Sequence, residues 1–136
     1  SPPKEDARNL PVSTIMSYDV VTLRADALPP AAVELVANQM HGAYPVLDAQ
    51  NKLQGMLAHD KLESVAKEFP EEPLSHSLDD LDALTVVYPD MSIREVANVL
   101  VQEDLLQAPV VSRKYPQHLI GIVTLHDVAR QQSPST

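Results

Sequence analysis

The chain has 136 residues, the size of one ordinary domain, with 44% apolar and 21% charged residues, 12 prolines and only 3 glycines. Gly42, Gly55 and Gly121 are too few and too scattered to cradle a phosphate in a glycine-rich loop, and the lack of cysteine removes disulfides, thiolate metal sites and cysteine nucleophiles. A net charge of −9 repels phosphate backbones and anionic lipid, which argues against nucleic acid as a partner, and no apolar run reaches the ~18 residues of a spanning helix.

In chain order, a β-rich run at Val20 to Leu23 leads through Asp26 into an amphipathic stretch. Val33, Val36, Ala37 and Met40 fall at i, i+3, i+4 and i+7, which predicts a helix, and Pro29 and Pro30 are tolerated in its first turn because those N–H groups lack intrahelical partners anyway. Two strands follow, Tyr44 to Leu47 and Leu53 to Leu57, joined by the polar turn Asp48 to Lys52, and a second helix closes the unit. The same order then returns. Thr85 to Asp90 repeats Val21 to Asp26 at an offset of 64 residues, and that offset carries Tyr44-Pro45-Val46-Leu47 onto Ala108-Pro109-Val110-Val111. Leu84 to Tyr88 is the second β-rich run, and Ile93, Val96, Ala97 and Leu100 repeat the helical spacing. After a longer turn, Ser112 to His118, the run Leu119-Ile120-Gly121-Ile122-Val123 matches Leu53-Gln54-Gly55-Met56-Leu57.

The expected fold is therefore α+β: two β-α-β-β-α repeats at 10–68 and 83–132, packed with pseudo-two-fold symmetry because neither half alone buries both faces of so small a sheet. Residues 60–82 hold eight acids against two lysines, six of the nine net negative charges, and the breaker Phe69-Pro70-Glu71-Glu72-Pro73 makes 69–82 read as a solvated acidic linker. Residues 1–9 and 133–136 read as flexible ends of a piece of a longer protein.

Taken in order and twice over, these residues resemble a tandem pair of CBS domains, the cystathionine-beta-synthase-type regulatory module, over roughly Leu10 to Gln132. The residues that carry the resemblance are Ile15-Met16-Ser17 before Asp19 to Leu23, then Tyr44 to Leu47, and above all Leu119 to Val128. The ending Gly121 to Gln131 is similar to the last repeat of chloride channels and transporters of the CLC family. The resemblance implies a regulatory module with no catalytic residues. It also implies a cleft between repeats that takes ATP, ADP, AMP or adenosine, pairing into a homodimer, and attachment as a cytoplasmic domain to the transmembrane part of a host protein.

Thr124-Leu125-His126-Asp127 fits the family's Thr/Ser-x-x-Asp signature, in which a carboxylate accepts from a ribose diol and a hydroxyl donates to phosphate or ribose. The same pattern is also a helix N-cap. By the resemblance, Ile122 just before that signature and His126 within it belong to the site, and the cleft is completed by Met16, Asp19 and Val21 and by His41, Gly42 and Ala43. Core packing is the competing role for Met16 and Val21, and a place at a helix C-terminus is the competing role for His41. Arg130, three residues beyond Asp127, reads as a partner for it along the helix.

In the first repeat, aligning Gly55 with Gly121 puts Ala58 and Lys61 where Thr124 and Asp127 stand, whereas a shift of one residue aligns His59-Asp60 with His126-Asp127. Either way one well-formed nucleoside site is expected. Few cations lie near it, so a nucleoside or loosely held nucleotide fits better than a clamped triphosphate. The five histidines show no metal-ligand spacing, and neither a metal nor a cofactor is expected. The leading function is regulation of a membrane transport protein, a chloride channel or transporter, by an adenine ligand. The alternatives are a ligand-free dimerisation module of the same host and a regulatory domain of a soluble enzyme.

Overall fold

The computed structural model describes residues 6–132, so the end segments expected to be flexible fall in part outside it, at 1–5 and 133–136. The described chain is a mixed α+β structure that divides into two compact units. Val21–Leu84 form a central unit. Residues up to Val20 join those from Thr85 onward in a composite unit, so the segment that opens the first repeat packs with the second.

In the central unit, β1 (Leu23–Arg24) runs parallel to β2 (Ala43–Leu47), which pairs antiparallel with β3 (Leu53–Ala58). Helices α1 (Pro29–Leu35) and α2 (His59–Glu68) pack together, and Leu23, Val36, Tyr44, Val46, Leu57, Leu62 and Leu74 form the core. The composite unit repeats the plan with α3 (Ile93–Gln102), β4 (Gln107–Val111), β5 (Leu119–Thr124) and α4 (Leu125–Gln132). Its core is Val12, Met16, Val87, Ile93, Val96, Leu100, Val110, Val123 and Val128. Gly55 lies opposite Val46 and Gly121 opposite Val110, with a register shift one residue later in both hairpins. That common register selects the alignment in which Ala58 matches Thr124 and Lys61 matches Asp127, over the one-residue shift.

Three local expectations change. The β-rich runs are shorter than their composition suggests: only Leu23–Arg24 is a strand in the first, and in the second only Val87 bridges, parallel to Val110. Helix α1 ends at Leu35 instead of running on to Met40. Pro29, Ala32 and Val36 are its buried anchors, the next turn tightens into i to i−3 bonds from Ala37 to Glu34 and from Gln39 to Val36, and Met40 is 97% exposed. Helix α3 does complete its predicted span because it is properly closed. Ser92 Oγ accepts from Glu95 N–H at its start. At its end Asp104 takes φ 54°, Asp104 N–H donates to Val101, and Leu105 N–H donates to Leu100 at 2.8 Å.

The third change concerns the linker. Its acids face solvent, but Leu74 is fully buried in the central core, and the N–H groups of Leu74 and Ser75 donate to the carbonyls of Ala27 and Ala25, both at 2.9 Å. Leu78 packs over Gly55. Charge composition hid two leucines that serve as core. Leu74→Ala is expected to destabilise the protein by about 2–3 kcal/mol, measured by denaturant unfolding, where a solvated linker would show a change near zero.

Candidate functional site

Thr124 closes β5 and opens α4, and both tasks use its short polar side chain. Thr124 Oγ1 accepts the N–H of Asp127 at 3.1 Å, which caps the helix and fixes the threonine rotamer while leaving the hydroxyl proton free to donate. Asp127 sits in the first turn of α4, where the helix dipole favours a carboxylate. Its side chain is half-buried, and it has no hydrogen-bond or ion-pair partner among the described residues of its own unit. The expected pairing with Arg130 is absent there. Ile122 and Thr124 are half-buried, and His126 is exposed.

The outer edge of β5 is covered by main chain. Ser17 N–H donates to Ile122 O at 2.8 Å and Ile122 N–H donates to Ser17 O at 2.9 Å, a two-bond antiparallel bridge two residues before Thr124. Gly121 makes it possible: a Cβ there would lie 2.5 Å from Ser17 O. Met16 is buried against the same place, its Cε 3.5 Å from that position, so its core role is real, and Asp19 follows on the exposed side. The structure thus gathers Met16, Asp19, Ile122, Thr124, His126 and Asp127 into the composite unit. Val21, His41, Gly42 and Ala43 belong to the central unit.

Within that central unit, Val21 is half-buried, Ala43 opens β2, and Gly42 O accepts the N–H of His59 at 2.9 Å. His41 is not at a helix C-terminus, because α1 has already ended at Leu35; it is exposed, with its ring edge-on to Tyr44 at 6.1 Å between centroids. The polar chain that follows was not expected from composition or the repeat pattern. Tyr44 Oη lies 3.0 Å from His59 Nδ1, and His59 Nε2 lies 3.0 Å from Glu63 Oε1. A carboxylate only accepts, so Nε2 carries the proton, and in the neutral ring Nδ1 then accepts from the phenol. Burial pushes the Tyr44 phenol above its ordinary pKa, which keeps it a donor. The corresponding positions of the other repeat hold Ala108, Leu125 and Ala129.

Two positions set the repeats apart most clearly. Ala58 precedes α2 with no side-chain cap, and Lys61 takes the place of the carboxylate, with its ammonium 3.8 Å from Asp79. Ala58→Thr is expected to stabilise the protein by about 1 kcal/mol in chemical denaturation by supplying the missing cap, with no adenine-ligand site gained, since Lys61 still stands where an acceptor is needed. Among the described residues no group of three or more His, Cys, Asp or Glu could hold a metal ion, and no helix is long and apolar enough to cross a membrane.

The family model for the CBS domain matches residues 12–65 and again residues 78–133. The chain belongs to the CBS-domain family. This CBS pair is 28% identical over 126 residues to the uncharacterized protein MJ0188 of Methanocaldococcus jannaschii, a match that covers 92% of this chain and 45% of that protein. The chain therefore spans less than half the length of that relative. Among solved structures, the CBS domain of a bacterial CNNM/CorC family Mg2+ transporter in complex with ATP superposes with a TM-score of 0.78 at 18% identity, covering 93% of this chain and 89% of that one. The CBS domain pair of protein MJ0100, in complex with 5'-methylthioadenosine and S-adenosylmethionine, gives 0.73 at 19% identity, covering 88% and 93%. At these identities the two structures bear on the fold.

Proposed function

We propose that this CBS pair binds an adenine nucleotide or nucleoside, of the class ATP, ADP, AMP or adenosine, and that occupancy regulates an attached membrane transport protein of which it is the cytoplasmic domain. The observation that carries the reading is Asp127: a half-buried carboxylate at the start of α4, without a partner among the described residues of its unit, beside a threonine whose hydroxyl proton is free. A carboxylate in that setting accepts from a vicinal diol, and the hydroxyl donates to an adjacent ribose or phosphate oxygen. Met16, Asp19, Ile122 and His126 lie in the same unit, and binding is assigned to that unit's residues without relying on Val21, His41, Gly42 or Ala43. The adenosine-bearing ligands of the two structural neighbours support the ligand class, and the transporter origin of one supports the host class. Within that class, a chloride channel or transporter rests on the ending Gly121 to Gln131 alone.

A ligand shifts a regulatory equilibrium only by the difference between its affinities for the two states, so the first requirement is saturable binding. Isothermal titration with ATP, ADP, AMP and adenosine is expected to give saturable heat with at least one. No heat with any of them at millimolar concentration overturns the reading.

A second reading, the homodimerisation module, is favoured by exposed apolar side chains: Leu35 at 63%, and Val101 and Leu106 each at 68%. It requires a ligand-independent dimer in sedimentation velocity. A monomer at all concentrations dismisses it and leaves ligand binding untouched.

A further inference from the structure

Residues 6–19 run across the composite unit as a strap held mainly by main-chain hydrogen bonds. Val12 N–H donates to Met91 O at 2.8 Å, Ser13 N–H donates to Pro89 O at 3.2 Å, and Leu10 O accepts Ile93 N–H at 2.9 Å. Asp6 latches one end: its carboxylate accepts from Arg8 Nη2 at 2.7 Å and from Arg94 Nη2 at 3.1 Å. The Ser17–Ile122 bridge holds the other. Only Val12 and Met16 of the strap are buried, whereas Leu10, Ser17, Tyr18 and Asp19 are exposed. With only Val12 and Met16 buried, the strap has less apolar surface to expose on opening than α3 or the β4–β5 ladder, so its opening comes before theirs.

The strap's inner end meets β5 at Ser17–Ile122, with Met16 beside Gly121, two residues before Thr124 and the turn into α4 that bears Asp127. In the central unit, the segment that covers Gly55 does so with the Leu78 side chain, 3.4 Å from a Cβ placed there, where Ser17 covers Gly121 with its backbone. The hydrogen-bonded arrangement thus accompanies the strand that bears Thr-x-x-Asp.

We propose that this strap is the element through which occupancy of the Thr124–Asp127 site is read: a ligand lying on both strap and strand is a cross-link between them, and seats the strap more firmly on β5. This rests on the ligand-binding reading above. A ligand at ten times its Kd that binds only the seated form lowers the open population about tenfold.

The test is hydrogen exchange followed by mass spectrometry on the full chain, with and without AMP, ATP or adenosine, alongside titration calorimetry of the same samples. The expected result is slowing of about tenfold at 10–20 and at the Ile122 amide, with less change in α3 and in the β4–β5 ladder, whose amides exchange only through larger openings. Saturable heat with no slowing at 10–20 overturns the strap's role and leaves ligand binding standing. Uniform slowing across the whole composite unit also overturns it, because that is simple stabilisation by mass action. No heat with any of the three probes overturns the ligand-binding reading and the strap's role together.

Discussion

Replacing Gly121 with alanine is expected to destabilise the protein by about 2 kcal/mol, while the same change at Gly55, its counterpart in the first repeat, costs less than about 1 kcal/mol. The difference lies in what each methyl meets. At Gly121 the new Cβ would stand 2.5 Å from Ser17 O, a backbone atom that is itself fixed by two hydrogen bonds to Ile122. It cannot yield without the bridge breaking, so the variant either keeps the bridge with overpacking of about 1–3 kcal/mol or lifts the strap and loses two hydrogen bonds of about 1 kcal/mol each. At Gly55 the neighbours are the Leu78 methyls at 3.4 Å, the far end of a side chain that adjusts by a few tenths of an ångström. Denaturant melts of the two variants side by side are the measurement. Equal effects would mean that Ser17 does not lie on β5. The strap should also lose its protection from exchange in Gly121→Ala while the Tyr44 hydrogen-bonded cluster of the central unit keeps its own.

These two glycines also mark what the sequence could and could not say. Their shared place in the two hairpins was legible from the repeat offset, as were the strands around them and the apolar face of α3, because each depends on periodicity or on a short-range register. The order of strand, helix, strand, strand and helix was legible for the same reason. What the strand runs and helix α1 lacked was a local stop signal: nothing in Ala37-Asn38-Gln39-Met40 says that the apolar spacing outlasts the helix, whereas Asp104 and Leu105 close α3 by hydrogen bonds to its last turn. The exchange of Ala7 to Val20 into the company of the second repeat was not legible at all. Long-range pairing of a segment with two buried residues leaves no pattern in composition, and the glycine that permits it looks like any other. The linker misled for a different reason, since its five acids outweigh the two leucines that pack, Leu74 and Leu78, in any average although only those leucines choose a side. For the site, Thr124 and Asp127 were found because capping and ligand recognition ask for the same residue types. Ser17 was missed because it acts through its backbone, and the Tyr44–His59–Glu63 chain was missed because, although His59 and Glu63 stand at i and i+4, the Tyr44–His59 link joins a strand to a helix across 15 residues with no recurrent spacing.

Asp127→Asn is expected to lower adenine-ligand affinity by about 10- to 100-fold while changing stability by no more than about 1 kcal/mol. The binding loss follows from the acceptor inventory. A ribose diol offers two donors, the carboxylate meets both with charge assistance, and an amide of the same shape keeps one acceptor oxygen and puts two donors where the second should be. Charged hydrogen bonds of about 1.5–3 kcal/mol set the size of the effect. The small stability change follows from the structure: the Asp127 N–H to Thr124 Oγ1 bond survives the substitution, the side chain has no partner to abandon among the described residues of its unit, and only its favourable interaction with the helix dipole is lost. Thr124→Ala should show the opposite balance, with about 1 kcal/mol of stability lost because the cap is gone, and a smaller loss of affinity because it removes one donor. Arg130→Gln serves as the control, since no ion pair joins Arg130 to Asp127 in that unit, and its affinity should stay within about twofold of the parent. Calorimetry and thermal melts on the three variants separate the roles. If Asp127→Asn binds as the parent does, or if it unfolds several kcal/mol sooner, the carboxylate is structural and does not hold a ribose.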